Sequence, residues 1–216
     1  MIDTRRANQV ADEGSTTVDS ADWDARYAAS PDLVWTANPN RFVVAATTDL
    51  SPGRALDVAA GEGRNAVWLA ERGWLVTAVD FSPVAVQRGR QLAHDRGVDV
   101  SWEVADVISY QPEPAAYELV VIAYLQLPRA DLAAVLRWAA AAVRPGGSLV
   151  VVGHDLANLT DGTGGPQDPA VLQTPDAVVA DLPGMQIRQA ETARRPVVVD
   201  GETVEALDTV VVATHP

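Results

Sequence analysis

Residues 55–65 read Ala55-Leu56-Asp57-Val58-Ala59-Ala60-Gly61-Glu62-Gly63-Arg64-Asn65. An apolar strand pattern carries an acid, Asp57, and runs into a tight turn at Gly61-Glu62-Gly63. A helical pattern follows at once, Arg64 to Arg72, and Gly73 suits its left-handed C-cap. A second apolar run, Trp74 to Val79, ends in Asp80. Strand, glycine turn, helix, strand, acid is the order that builds a pocket for a nucleoside-bearing ligand at the carboxyl end of a parallel sheet.

The alternation continues downstream. Ser82-Pro83 opens a helix, with serine as N-cap and proline in the first turn, and Gly97 ends it after Arg96. Val98–Val104 reads as the third strand and Tyr117–Ala123 as the fourth. An alanine-rich helix spans Arg129–Val143, and after Pro145-Gly146-Gly147 a fifth strand spans Ser148–Val152. Repeating β-α units imply a parallel sheet with helices on both faces. Beyond this, residues 157–174 are rich in glycine and proline and read as an irregular loop on the substrate side. A short helix from Pro175 to Asp181 is followed by strands at Met185–Ala193 and Leu207–Ala213. Asp200-Gly201 between them is a hairpin signal, which implies an antiparallel edge.

The N-terminal part differs in character. Residues 1–21 are small, polar and acidic, and read as a tail that is mobile without ligand. From Asp22 to Leu50 the chain is amphipathic, with Trp23, Tyr27, Trp35 and Phe42. This aromatic arm is expected to cap the single domain that spans residues 22–216.

Composition narrows the partners. The 216 residues carry a net charge of −13, which a nucleic acid would repel, so a small molecule is favoured. All sixteen basic residues are arginine, which excludes a lysine Schiff base and a P-loop lysine. No cysteine is present, which removes disulfides, thiolate metal sites and a cysteine nucleophile. No apolar run approaches the roughly 20 residues of a membrane helix, and the N-terminus lacks a secretory pattern. A cytoplasmic protein, monomer or homodimer, is the expectation.

Two cofactors compete for the glycine turn. Gly61 through Ala66 nominally fits a dinucleotide pattern, but Glu62 places a carboxylate where a pyrophosphate would lie. S-adenosylmethionine carries no phosphate. Asp80 is placed to accept from its ribose hydroxyls and Asp106 from its adenine amine. Gly61 and Gly63 allow close backbone approach at its methionine end. Asp57 can hold the turn and reach the ammonium.

Four words in order, Leu56 to Asn65, Val79-Asp80-Phe81-Ser82-Pro83, Ala105-Asp106-Val107 and Arg144-Pro145-Gly146-Gly147, make the chain resemble class I S-adenosylmethionine-dependent methyltransferases. Within that family it is similar to the small tellurite-resistance-type enzymes. The resemblance implies a Rossmann-like seven-stranded, mostly parallel sheet with an antiparallel C-terminal strand. It also implies S-adenosylmethionine as methyl donor, with S-adenosylhomocysteine as product. The matching words add Ala59, Asn65, Phe81 and Val107 to the cofactor set, with Ala123 at the end of the fourth strand. Ala59 departs from the family's usual glycine, and alanine is expected to exclude positive-φ backbone there.

Methyl transfer to an alcohol also needs a general base. His154 follows the fifth strand, at the carboxyl end where ligands bind, and is the candidate base. Tyr124, ending the fourth strand, is expected to face the transferred methyl. Trp35, Arg64 and Asp155 are the acceptor-side candidates; Arg64 and Asn65 could equally touch the cofactor carboxylate, and Asp155 is also where Mg²⁺ would be held if such an enzyme used it. The expected reaction is O-methylation of a small polar molecule, a sugar hydroxyl among the options. Thiol or chalcogenide detoxification is the alternative acceptor class. A nicotinamide-dependent oxidoreductase and a catalytically silent cofactor-binding module are the alternatives outside methyl transfer.

Overall fold

The computed structural model describes residues 20–29, 33–34 and 36–216. Seven strands form one sheet: β1 Arg54–Val58, β2 Leu75–Asp80, β3 Ser101–Val104, β4 Tyr117–Ala123, β5 Val143–His154, β6 Gln186–Val199 and β7 Glu202–Thr214. Their order is β3-β2-β1-β4-β5-β7-β6. The first five run parallel, and β7 inserts antiparallel between β5 and β6. The order reverses between β1 and β4, so their carboxyl ends open a crevice where ligands of such sheets bind.

Strand periodicity assigns each residue to a face. Leu56, Val58, Val120, Ile122, Leu149 and Val151 meet α5 (Arg129–Ala142) and α7 (Pro175–Ala180) in one core cluster. Ala55, Leu119, Val121, Val150 and Val152 meet α2 (Arg41–Thr47) and α3 (Arg64–Glu71) in the other. Alternate residues of the same strands therefore fill opposite layers, the period of two that a doubly covered sheet requires.

Local signals set the helix ends. Ser82 accepts from the Ala85 N–H at the start of α4 (Pro83–Arg96), and Gly97 closes it at φ 67°. That closure brings the Val98 N–H back to the Ala93 carbonyl, so β3 starts at Ser101 rather than at Val98. The terminal strands run longer than their apolar cores. They pair continuously through Arg195↔Ala206 to a turn at Asp200-Gly201, where both residues have positive φ. Residues 157–174 carry a helical turn, α6 (Asn158–Asp161), and a 3-10 turn at Pro169–Val171. The segment is stitched down at both ends. Asn158 donates to the Gly164 carbonyl and accepts from the Leu207 N–H, and the Gln173 N–H bonds the His154 carbonyl. Among the described residues no helix is long and apolar enough to cross a membrane.

Candidate active site at the carboxyl ends of the strands

The glycine turn is organised by acids on both sides. Asp80 accepts from the Gly61 N–H at 2.7 Å with one oxygen and from the Ser82 N–H at 2.9 Å with the other. Each carboxylate oxygen keeps a lone pair beyond these bonds, so Asp80 can still accept from ribose hydroxyls. Gly63 stands at φ 78° with the Trp102 ring where its Cβ would be, so neither the conformation nor the space admits a side chain. Asp57 is buried, and its Oδ2 has no hydrogen-bond partner among the described residues. Burial pushes its carboxyl up to about 7, against the Ala66 N–H and the nearby Arg64 charge. An orphaned buried acid beside a backbone cradle fits the ammonium end of S-adenosylmethionine. Asp106 lies exposed beyond β3, with Oδ1 taking the Ile108 N–H.

Other residues of the motif have structural work. Asn65 is buried and accepts from the Asn40 N–H at 2.9 Å, anchoring the start of α2. Val107 packs in the core, and its carbonyl accepts from the Trp138 indole. Phe81 and Ala123 are half-buried at the ends of β2 and β4. Ala59 adopts φ 54°, so the expectation that alanine excludes positive φ there is corrected. The backbone keeps the turn and carries about 1–2 kcal/mol of left-handed strain.

Glu62 also corrects an argument. Its carboxylate is buried and points to the Arg88 guanidinium at 2.7 Å and the Val34 N–H at 3.2 Å. The charge is neutralised within the protein and ties the N-terminal segment to α4, so repulsion of a pyrophosphate no longer distinguishes the cofactors. The N-terminal helix α1 (Ser20–Ala28) reaches the same turn. Asp24 bonds the Ser82 hydroxyl, and the Tyr27 hydroxyl stands 3.1 Å from where a Gly61 Cβ would be.

Across the crevice a second cluster forms. The Tyr124 and His154 rings lie 4.7 Å apart. His154 pairs in register with Asp208 of β7, and its Nδ1 lies 3.7 Å from Asp208 Oδ1. Asp208 is fully buried and accepts from the Tyr124 hydroxyl at 2.9 Å and from Arg195 Nε at 2.5 Å. Arg195 and Arg64 each place a guanidinium 5.7 Å from the Tyr124 ring centroid. Burial pushes His154 down to about 4, so the imidazole is neutral at pH 7. Burial and the Asp208 charge push the Tyr124 hydroxyl up, so it stays a donor. Tyr124 itself has φ 61°, a strained backbone of the kind that gathers at functional sites. Gly165 packs so closely that a Cβ would stand 2.9 Å from His154 Nδ1, which lays the 157–174 segment over the imidazole.

The acceptor-side expectations divide. Arg64, Tyr124 and His154 come together, whereas Asp155 does not join them. Its oxygens take the Ala157 N–H and the hydroxyls of Thr192 and Thr209, so it is a buried anchor for the hairpin. Three donors already occupy that carboxylate, and no group of three metal-ligating acids or histidines occurs among the described residues. The donor set does not fit Mg²⁺, and no step is assigned to a metal. Trp35 and residues 1–19 lie outside the described residues. Arg195 and Asp208 were missed. An acid inside the apolar run Leu207–Val212 was the available signal for Asp208, since buried charges are rare unless paired.

The sheet order, the glycine turn and the acids at the strand ends define the class: a class I S-adenosylmethionine-dependent methyltransferase fold. Residues 55–147 match the family model described as "Methyltransferase domain". An ubiquinone biosynthesis O-methyltransferase from Xanthomonas euvesicatoria is 31% identical over 129 residues, 59% of this chain and 53% of that protein. A 2-heptyl-1-hydroxyquinolin-4(1H)-one methyltransferase from Mycobacteroides abscessus is 37% identical over 59 residues, 27% of this chain and 26% of that protein. The chain spans about half the length of the ubiquinone-pathway relatives. Among solved structures, TehB from Haemophilus influenzae superposes with TM-score 0.69 at 16% identity, covering 91% of this chain and 67% of that one. A protein studied for conversion of a disulfide bond into a thioacetal group in echinomycin biosynthesis superposes with TM-score 0.72 at 21% identity. It covers 89% of this chain and 90% of that one. These two likenesses are of fold.

Proposed function

We propose that the protein transfers a methyl group from S-adenosylmethionine to an oxygen of a small acceptor, with His154 as general base. The observation that carries the reading is the neutral imidazole at the carboxyl end of β5, stacked on Tyr124 with the Asp208 carboxylate behind it. The O-methyltransferase relatives in ubiquinone biosynthesis support oxygen as the acceptor atom. The charge of −13 and the lack of cysteine support a cytoplasmic setting without a nucleic-acid partner.

The bound donor supplies an activated methyl on a sulfonium. Asp57, the Gly61–Gly63 turn, Asp80 and Asp106 would hold it. Transfer of that methyl to the acceptor oxygen would leave the electron pair of the broken carbon–sulfur bond on sulfur. The hydroxyl proton passes to His154. Asp208, 3.7 Å from Nδ1, then faces a charged imidazolium and stabilises it. Tyr124, fixed through its hydroxyl, sets the ring plane against which His154 is oriented. The 157–174 segment excludes water from the imidazole through Gly165.

Replacing His154 by Ala tests the assignment. Turnover of a hydroxyl acceptor should fall by about 10²–10⁴-fold, the usual worth of a general base. S-adenosylhomocysteine affinity in calorimetry should be unchanged. A thiolate acceptor needs no base and should survive the change. Full turnover of the hydroxyl acceptor by the variant would remove His154 from the mechanism.

A further inference from the structure

Arg64 is the anomaly of the site. Other guanidinia near buried ground meet carboxylates: Arg88 meets Glu62 and Arg195 meets Asp208. Among the described residues Arg64 makes no ion pair and no side-chain hydrogen bond, only the approach to the Tyr124 ring. It opens α3 directly after the glycine turn and faces titratable groups from across the sheet. These are Asp57 from β1, Tyr124 from β4, His154 from β5, Arg195 from β6 and Asp208 from β7. Of these, the acid contributed by the hairpin, Asp208, is already committed to Arg195 and Tyr124. Asp57, with its carboxyl near 7, offsets Arg64 only in part, so positive charge is left over there in a protein whose net charge is −13.

Resting on the methyltransferase reading above, we propose that the acceptor is an acidic hydroxyl of the phenol or enol class, held as its anion by Arg64 beside Tyr124. A half-buried cation without an ion-pair partner is costly, and an anionic ligand offsets that cost. The leftover charge lies on the acceptor side, because Arg64 packs against Tyr124 and feels Arg195 and Asp208. Chemistry points the same way. A deprotonated oxygen and a sulfonium cancel each other's charge as the new bond forms, which a water-poor site favours.

The base agrees. Burial holds His154 near 4. An aliphatic or sugar hydroxyl is far less acidic than a phenol and lies beyond useful reach of that base. A phenol near ~10 is closer, and a guanidinium within ~4–6 Å lowers an acid by about 1–3 units further. The proton leaves to His154, the O–CH₃ bond forms, and sulfur keeps the electron pair of the broken bond. The reading selects against sugar hydroxyls.

The test uses the full chain saturated with S-adenosylhomocysteine and 4-nitrophenol as probe, because the colour of its anion reports ionisation directly. Absorbance titration should show the bound probe ionising about one unit or more below free probe, a tenfold or larger change in its acidity constant. Arg64→Gln should abolish the shift and leave S-adenosylhomocysteine affinity within about threefold. Arg64→Lys should keep most of the shift, and thermal unfolding of all three proteins checks that they are folded. Bound probe titrating like free probe, an undiminished shift in Arg64→Gln, or no probe binding at millimolar concentration would overturn the proposal. So would a tenfold loss of S-adenosylhomocysteine affinity in Arg64→Gln, which would assign Arg64 to the donor's carboxylate. Failure of the unmodified protein to bind S-adenosylhomocysteine would instead defeat the methyltransferase reading.

Discussion

Around the glycine turn, Asp57, Gly61, Asp80 and Ser82 lie within one β-α-β unit, and backbone N–H groups satisfy much of what the acids require. Around His154, the touching side chains come from four strands, β4, β5, β6 and β7, and one carboxylate, Asp208, serves both Tyr124 and Arg195. The first region keeps an acid with an oxygen in reserve; the second has its acid fully engaged. Local backbone geometry can hold a ligand-ready acid, because turn amides come with the motif. A side-chain cluster built across strands depends on its central charge.

Removing that charge should have the largest effect. Asp208→Asn would leave Arg195 and the Tyr124 hydroxyl without their partner in a buried site. Breaking a buried pair costs about 3–5 kcal/mol, and Arg195 keeps some contact with water, so about 3 kcal/mol is expected in denaturant unfolding. Hydroxyl methylation should be lost as His154 and Tyr124 lose alignment. S-adenosylhomocysteine affinity should hold within about threefold, since no contact of Asp208 reaches the glycine turn. A collapse of cofactor affinity would break the separation between the two regions.

The same contrast decided what could be read in the sequence. The words from Asp57 to Gly63 and at Asp80 and Asp106 are short-range, so spacing alone placed them at the ends of β1, β2 and beyond β3. His154 and Tyr124 were legible because each ends an apolar run. Arg195 was not. The apolar pattern breaks at Arg194-Arg195, and most of β6 is exposed, so periodicity gave no sign that Arg195 faces the site. Its partnership with Asp208 needs the β6–β7 register, a fact about pairing rather than composition. Asp155 misled for a related reason. Its position at the strand end suggested the site, but Thr192 and Thr209, contributed by the hairpin, claim it.

Asp57 gives a pH signature belonging to the glycine-turn region alone. Its folded-state carboxyl near 7 lies above the ordinary carboxylate value, so the folded protein holds a proton that the unfolded chain has released. Stability from this group is present below about pH 4 and is lost as pH rises through about 7. A ligand ammonium at Oδ2 favours the ionised form and lowers that value. Binding of S-adenosylhomocysteine at about pH 6 should therefore release close to one proton, and at about pH 8 nearly none. Calorimetry in buffers of different ionisation enthalpy reads this directly. Asp57→Asn should abolish the release, weaken binding and flatten the stability loss above pH 4. Equal proton release in Asp57→Asn would place the titrating group elsewhere and blur the distinction between the two regions.

Ala59 offers the smallest and most local test. At φ 54° its Cβ crowds the backbone, a cost of about 1–2 kcal/mol for an L-residue in the left-handed region. Glycine removes that strain, but it also gives the unfolded chain more freedom, worth about 0.4–1 kcal/mol in the opposite direction. The difference favours Ala59→Gly by roughly 0.5–1 kcal/mol. The turn itself is held by the Asp80–Gly61 bond and the Ala60 N–H to the Val79 carbonyl, and neither involves the methyl group. Cofactor affinity should thus stay constant or rise slightly, with the acceptor side unaffected. A variant less stable than the parent would mean that Ala59 packs usefully against the core it borders, and that its methyl was retained for contact rather than tolerated under strain.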